Sequence, residues 1–400
     1  MTFTSEQGDR QTWIALLLIV IGLVGFGTVM VYSSSSGLAQ FRFDNSNFFL
    51  KRWIIRSIIG LGFMALMMRV DYRVWRKTAR FLLLLGFLGL LIVLVLKVLG
   101  IGKIRGSYRW IPFPGGAFQP ADMMRLVLVI YLAESLTRRQ DFIEDFKQGY
   151  LPHATIIALA MGMILLQPNL SSALAIGITS ALMLYISGIR VAHLFGTGLA
   201  IIPVLYVIVF VLEYRKDRIL TFLSPAEDTQ GTGYHVAQSL LALGSGGLTG
   251  VGLGQGQQKY FFLPDPHTDF VFSIIGEELG LMGTLGVLVL FFIFGRLGFR
   301  IARTAPDMFG FLLATGLTCL IMVYAFINIG VTTGVLPATG LPLPFISYGG
   351  SSLMFTLIAT GILINIGQCG AKDRGALPKR SPVWTPRAFP RSGRPLGRSA

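Results

Sequence analysis

The stretch of this sequence best equipped for chemistry runs from Leu263 to Gly280 and reads LPDPHTDFVFSIIGEELG. Pro264 and Pro266 hold the chain extended, because each fixes its own φ and restricts the residue before it. Thr268 or Asp269 can then cap a helix that begins near Phe270. A plain helix cap is the structural reading of that aspartate. The chemical reading is a carboxylate general base at the mouth of a helical bundle, with His267 and Thr268 as polar neighbours that would touch a substrate. On a helix counted from 269, Ser273, Gly276, Gly280 and Gly283 fall on the face of Asp269. Gly276 and Gly280 form a GxxxG pair, which allows close helix contact. Glu277 lies about 12 Å deeper at 1.5 Å per residue, and Glu278 faces elsewhere. Acids at such depth are either functional or paired with a cation, and Arg56, Lys97 and Arg125 are candidate partners.

Three further patterns surround this stretch. The cations Lys103, Arg105, Arg109, Arg215, Lys216, Arg218 and Lys259 lie in segments between apolar blocks. Singly, each could anchor to a lipid headgroup. Gathered around an acid, they would suit an anionic substrate such as a diphosphate. The loop Gly334–Ser352 carries Pro342, Pro344 and Ser347 among several glycines. Irregular backbone at membrane depth must be buried in protein or line a cavity, so this loop is either a re-entrant plug or a substrate-facing wall with Ser347 in it. The run Gly244–Gly256 lacks a GK[ST] and does not fit G-x-G-x-x-G, so it reads as a close-packed loop and not a nucleotide cradle. Cys319 and Cys369 sit in apolar stretches and offer neither metal spacing nor a disulfide framework.

These residues must be held by membrane helices. Of 400 residues, 53% are hydrophobic and 13% are charged, against about 25% charged in soluble domains. The mean hydropathy is +0.67. The net charge of +15 does not indicate nucleic-acid binding, because the cations flank apolar blocks and form no single basic face. Windows of about 20 residues give about ten spans, near 13–32, 53–69, 81–100, 121–137, 152–167, 170–188, 192–212, 270–294, 309–331 and 350–368. The first is too long for a signal-peptide core and reads as an uncleaved span. The fold class is therefore all-α and polytopic. Positive charge concentrates in the segments holding Arg69, Arg73, Arg76, Lys77 and Arg80, in those holding Arg296, Arg300 and Arg303, and in the tail. That bias puts both termini in the cytoplasm. Residues 1–12 form a short cytoplasmic segment and 13–370 the membrane domain. Residues 371–400 form a basic, Pro-rich tail expected to be disordered against anionic lipid. The segments 101–120, 213–269 and 332–349 fall outside the cell, the second being a large loop between helices 7 and 8.

Taken together, LPDPHTDFVFSIIGEELG, Leu240-Leu-Ala-Leu-Gly-Ser-Gly-Gly247, Thr339-Gly-Leu-Pro-Leu-Pro-Phe-Ile-Ser-Tyr-Gly-Gly-Ser-Ser352 and Arg109-Trp-Ile111 with Gln119-Pro120 resemble the SEDS family of FtsW, RodA and their sporulation relatives. The resemblance runs from the first span to the last and omits the tail. It implies ten spans with both termini inside, and polymerisation of peptidoglycan glycan strands from lipid II beside a class B penicillin-binding transpeptidase. It matches the family's essential acid to Asp269. The loops look more like the division type than the elongation type, which implies divisome partners and a place at the septum. Two departures stand out. The family's usual Gln-Pro-Ser-Glu is Gln119-Pro-Ala-Asp122 here, which shortens the acid's reach. Its usual Gln-Pro-Asp-Leu-Gly-Thr is Gln167-Pro-Asn-Leu-Ser-Ser172, which removes a carboxylate at position 169.

Polymerisation outside the cell cannot draw on ATP, so the donor must arrive activated, as a prenyl-diphosphate sugar does. The expectation is that Asp269 deprotonates the acceptor's 4-hydroxyl, which displaces the lipid diphosphate with inversion. Outer cations, with or without a divalent metal ion, would stabilise the leaving charge. A lipid II transporter and a non-catalytic scaffold for a transpeptidase are the competing functions.

Overall fold

A computed structural model describes residues 5–101, 103, 107–113, 116–199, 232–260, 263 and 266–376. The chain is a bundle of long helices. In chain order these are α1 (Ser5–Phe43), α2 (Phe48–Arg69), α3 (Arg73–Val98), α4 (Pro120–Arg138), α5 (Leu151–Leu166), α6 (Leu170–Ile186), α7 (Thr232–Ser245), α8 (Val271–Arg303), α9 (Met308–Thr332) and α10 (Gly350–Ala376). A two-stranded antiparallel hairpin, β1 (Ile111–Phe113) and β2 (Gly116–Phe118), precedes α4. Six helical stretches among the described residues are long and apolar enough to cross a membrane. The chain is a multi-pass membrane protein. α2 and α4 have the length but carry Lys51, Arg52 and Arg56, and Asp122, Arg125 and Glu134 respectively. Residues 191–199 are helical, and the rest of the span expected over 192–212 lies outside the described residues.

α9 and α10 are the most buried of the apolar helices, and α3 is among the most exposed. α10 packs along α2, α4 rests against α3 and α9, and α8 lies against α1, α7 and α9. Leu16, Leu23, Met124, Phe294, Leu317, Ile346 and Leu357 are buried in one continuous apolar core. At the end of the bundle away from Asp269, Asn365 ties α10 to the α2–α3 turn. Its Oδ1 accepts from the Tyr72 N–H at 2.9 Å, and its Nδ2 donates to the Met68 carbonyl at 2.9 Å.

Several boundaries differ from the sequence reading. α1 continues well past residue 32 because Ser34 and Ser35 donate their hydroxyls back to the carbonyls of Met30 and Val31, so the serine run stays helical. α8 runs on to Arg303 and not 294. The segment 213–269 is not wholly loop, since α7 lies within it, and 101–120 contains the hairpin. α10 reaches Ala376, beyond the expected end near 368. The tail expected to be disordered lies, from 377 onward, outside the described residues.

Candidate active site

Five segments converge at one end of the bundle on a cavity of about 310 Å³. Ser107, Arg109 and Trp110 come from the stretch before the hairpin. Gln119 and Asp122 come from the start of α4, and Asn169 and Ser172 from the start of α6. Thr268 and Asp269 precede α8, and Thr339–Pro342 with Tyr348, Gly349, Gly350 and Ser352 close the ring. The lining is mostly polar, with two carboxylates and one guanidinium, as a site for a sugar or a phosphate requires.

Asp269 is half-buried at the rim. α8 begins at Val271, and its N-cap, Phe270 (φ −110°, ψ 18°), makes no side-chain cap. Asp269 therefore stands two residues ahead of the helix, off the helical face on which the sequence reading placed it. Asn328 of α9 fixes it instead, donating from Nδ2 to the Asp269 carbonyl and to the Leu341 carbonyl, both at 2.7 Å. One amide thus joins the two loops that carry Asp269 and Gly340. Behind them His267 is fully buried between the rings of Phe49 (4.4 Å) and Tyr348 (5.3 Å), and its carbonyl accepts from the Tyr348 N–H. Thr268 and Asp269 face the cavity, while His267 packs behind it.

Below the cavity lies a buried polar network. Asp122 accepts from the Ser351 hydroxyl at 2.6 Å, and its other oxygen stands 3.8 Å from the Arg125 guanidinium. Arg125 also donates to the Ser352 carbonyl (2.9 Å), the Ser352 hydroxyl (3.0 Å) and Thr356 (3.2 Å), and stacks over Tyr324 at 4.3 Å. Asp122 and Arg125 are 5% and 3% exposed. Removing one partner strands the other charge. Arg125→Met is expected to cost about 3–5 kcal/mol, and Asp122→Asn/Arg125→Met together to cost clearly less. Thermal unfolding in detergent reads both.

The glycine-rich run is close-packed, and its partner is α8. Gly280 (φ 65°, ψ −161°) breaks that helix. The chain at 247–252 pairs with both sides of the break: Val251 N–H to Glu277 O, Gly252 N–H to Glu278 O, Leu281 N–H to Gly247 O and Met282 N–H to Leu248 O. The seam expected on α8 meets α7 at Ser239–Ser273 (2.5 Å) and at Leu243 against Gly276. The two glutamates serve the same junction. Glu277 accepts from the N–H groups of Gln257 (2.6 Å) and Gln258 (3.1 Å). Glu278 accepts from Ser33, and Lys259 is ion-paired to it at 2.7 Å. The expected partners are engaged elsewhere: Arg56 stacks over Tyr348, Lys97 donates to the Leu166 carbonyl, and Arg125 meets Asp122.

The cations divide accordingly. Arg109 lines the cavity and donates to the Pro168 carbonyl. Lys259 is 4% exposed and turned onto Glu278, not outward as a substrate-binding lysine would be, because a buried ammonium must be paired. Lys103 is exposed and is not among the lining residues. Arg105, Arg215, Lys216 and Arg218 lie outside the described residues. Ser347 is 3% exposed and accepts from the Leu343 N–H, so it braces its own turn. Pro342 lines the cavity, and Pro344 does not. Asn169, where the sequence lacks the family's carboxylate, caps α6 by accepting from the Ser172 N–H at 3.3 Å. The sequence reading did not single out Ser351, Ser352, Tyr348 or Asn328: the first three belong to the 334–352 loop it read as a plug or a substrate-facing wall, and an asparagine in an apolar helix carries no spacing signal. Asp122 and Arg125 did carry one, an i,i+3 acid–base pair in an apolar helix. Among the described residues no group of three or more His, Cys, Asp or Glu could hold a metal ion.

A helical membrane bundle with an acid-lined cavity at one end defines the class, and comparison with known proteins supplies the family. The FtsW/RodA/SpoVE family model, described as "Cell cycle protein", matches residues 14–371, and the chain belongs to that family. A "Probable peptidoglycan glycosyltransferase FtsW" from Geobacter sulfurreducens (strain DL-1 / KN400) is 43% identical over 353 residues, 88% of this chain and 94% of that protein. The stage V sporulation protein E of Bacillus subtilis (strain 168) is 40% identical over 354 residues, 88% of this chain and 96% of its own. Among solved structures, a chain from "Structural coordination of polymerization and crosslinking by a peptidoglycan synthase complex" superposes with a TM-score of 0.74 at 27% identity, covering 89% of this chain and 97% of the other. The rod shape determining protein RodA of Thermus thermophilus gives 0.66 at 26% identity, with 88% and 96% covered.

Proposed function

We propose that this chain is a peptidoglycan glycosyltransferase that polymerises glycan strands from lipid II at the outer face of the cytoplasmic membrane. The observation that carries the reading is the convergence of Asp269, Arg109 and the 339–350 loop on one cavity of about 310 Å³. That volume is at the small end of ligand pockets, about 300–1,000 Å³. It suits the reacting sugar and diphosphate, with the prenyl chain left in lipid. Asp269 takes the proton of the acceptor's 4-hydroxyl as that oxygen attacks the donor's anomeric carbon. The bond from that carbon to the diphosphate oxygen breaks, its electron pair leaves with the lipid diphosphate, and the configuration inverts. The proton then passes from Asp269 to water. Arg109 offers charge to the departing diphosphate.

The family kinship and the named relatives support a partner transpeptidase of the class B penicillin-binding type and, with divisome proteins, work at the division septum. Both termini are cytoplasmic in this arrangement, which puts the cavity outside. The decisive assay reconstitutes the protein in liposomes with lipid II. Chains of linked disaccharide are expected. Monomer translocated without chain growth would make it a transporter, and neither product would leave a scaffold.

A further inference from the structure

The break at Gly280 raises a mechanical problem. Residues 271–279 of α8 carry Asp269 at their outer end, yet at Gly280 they lose the continuous helical ladder to the rest of α8. The chain at 247–252 bridges the break with backbone hydrogen bonds, and the side chains beside it add further direction. Asp269 stands roughly 15 Å from the break at 1.5 Å per residue, so a tilt of about 10° there would move its carboxylate by about 3 Å. Misplacement of 1 Å can cost about 10²-fold in rate.

The half-helix is clamped on two sides by consecutive acids. Glu277 is fastened to the backbone N–H groups of Gln257 and Gln258. Glu278, with no exposed surface, is fastened to Lys259 and to the Ser33 hydroxyl, which reaches both of its oxygens at 2.7 and 2.6 Å. Lys259 donates in turn to the Gly254 carbonyl at 2.7 Å. Ser33 belongs to α1, Lys259 and Gly254 to the stretch after α7, and Glu278 to α8. One buried ion pair therefore ties three segments at the base of the lever.

We propose that Lys259, Glu278 and Ser33 are positioning residues for Asp269. Their directional contacts fix the angle of the outer half of α8, so that the carboxylate meets the acceptor hydroxyl. An apolar pair would fill the same space without fixing that angle. Burying an ion pair is a poor source of stability, and its best-attested use is specifying one geometry. The inference rests on the reading of Asp269 as the base.

The test compares Lys259→Met/Glu278→Leu, Ser33→Ala and Asp269→Asn with the wild type, all purified in detergent with lipid II as the probe. Folded fraction and melting temperature are measured alongside kcat and KM. The paired variant is expected to fold, with kcat lowered about 10–100-fold and KM within about 3-fold. Ser33→Ala, which leaves the ion pair intact, is expected to fold with a modestly lower melting temperature and to lower kcat by several-fold per folded molecule, and it decides the matter if the pair fails to fold. A folded variant with wild-type kcat, or a loss confined to KM or to folded yield, overturns the proposal. Full activity in Asp269→Asn would instead overturn the reading of the base, so the two failures are distinguishable.

Discussion

Asp269→Asn lowers lipid II polymerisation by about 10²–10⁴-fold while the protein stays folded, the range that loss of a positioned general base produces. Asparagine keeps the shape and removes the proton acceptor. Asn328 holds the Asp269 carbonyl, which asparagine retains, so the loop keeps that anchor. The loop carrying Gly340 is held by the same amide through Leu341. The loss should therefore fall on kcat, with donor KM little changed, since a base acts in the transition state more than in binding. Steady-state kinetics on monodisperse protein, normalised to folded material, reads both. A rise in KM at unchanged kcat would make Asp269 a binding residue.

Gly280→Ala and Gly250→Ala are expected to abolish folding or cost more than about 4 kcal/mol, a range reserved for severe steric or backbone conflict. A Cβ on Gly280 would stand 2.4 Å from the Gly250 nitrogen and 2.6 Å from the Leu248 oxygen, and one on Gly250 would stand 2.1 Å from the Glu278 oxygen. All three are backbone atoms, so no rotamer can yield. The dihedrals of Gly280 (φ 65°, ψ −161°) also belong to a region essentially reserved for glycine. Gly254 provides the control. Its φ is +80° with nothing within 4 Å of a Cβ, so Gly254→Ala should cost only the dihedral strain, about 1–2 kcal/mol. Thermal unfolding in detergent ranks the three. Equal melting temperatures for Gly280→Ala and wild type would mean that α8 is not broken there.

The sequence showed some of this more plainly than the rest, for physical reasons. Long apolar blocks gave α5, α6 and α9 close to their ends, because a helix in lipid must satisfy its own backbone. Asp269 stood out because the resemblance matched it to an essential acid, where spacing alone also allowed a plain helix cap. The helix break was hidden, since Gly276 and Gly280 spell GxxxG whether the helix runs on or opens to admit a loop. Lys259 was hidden by its type: a lysine in an outer segment reads as exposed, and only the pairing with Glu278 across nineteen positions explains its burial. Asn328, which unites the Asp269 and Gly340 loops, sits in an apolar helix and signals nothing until its partners are known.

The central claim is that Asp269 performs glycosyl transfer in the cavity it borders. The most direct measurement separates by length the products that purified wild type and Asp269→Asn make from lipid II in the same detergent, with no other polymerase present. The account predicts a ladder of glycan chains from the wild type and unextended lipid II from the folded variant. A comparable ladder from Asp269→Asn would contradict it.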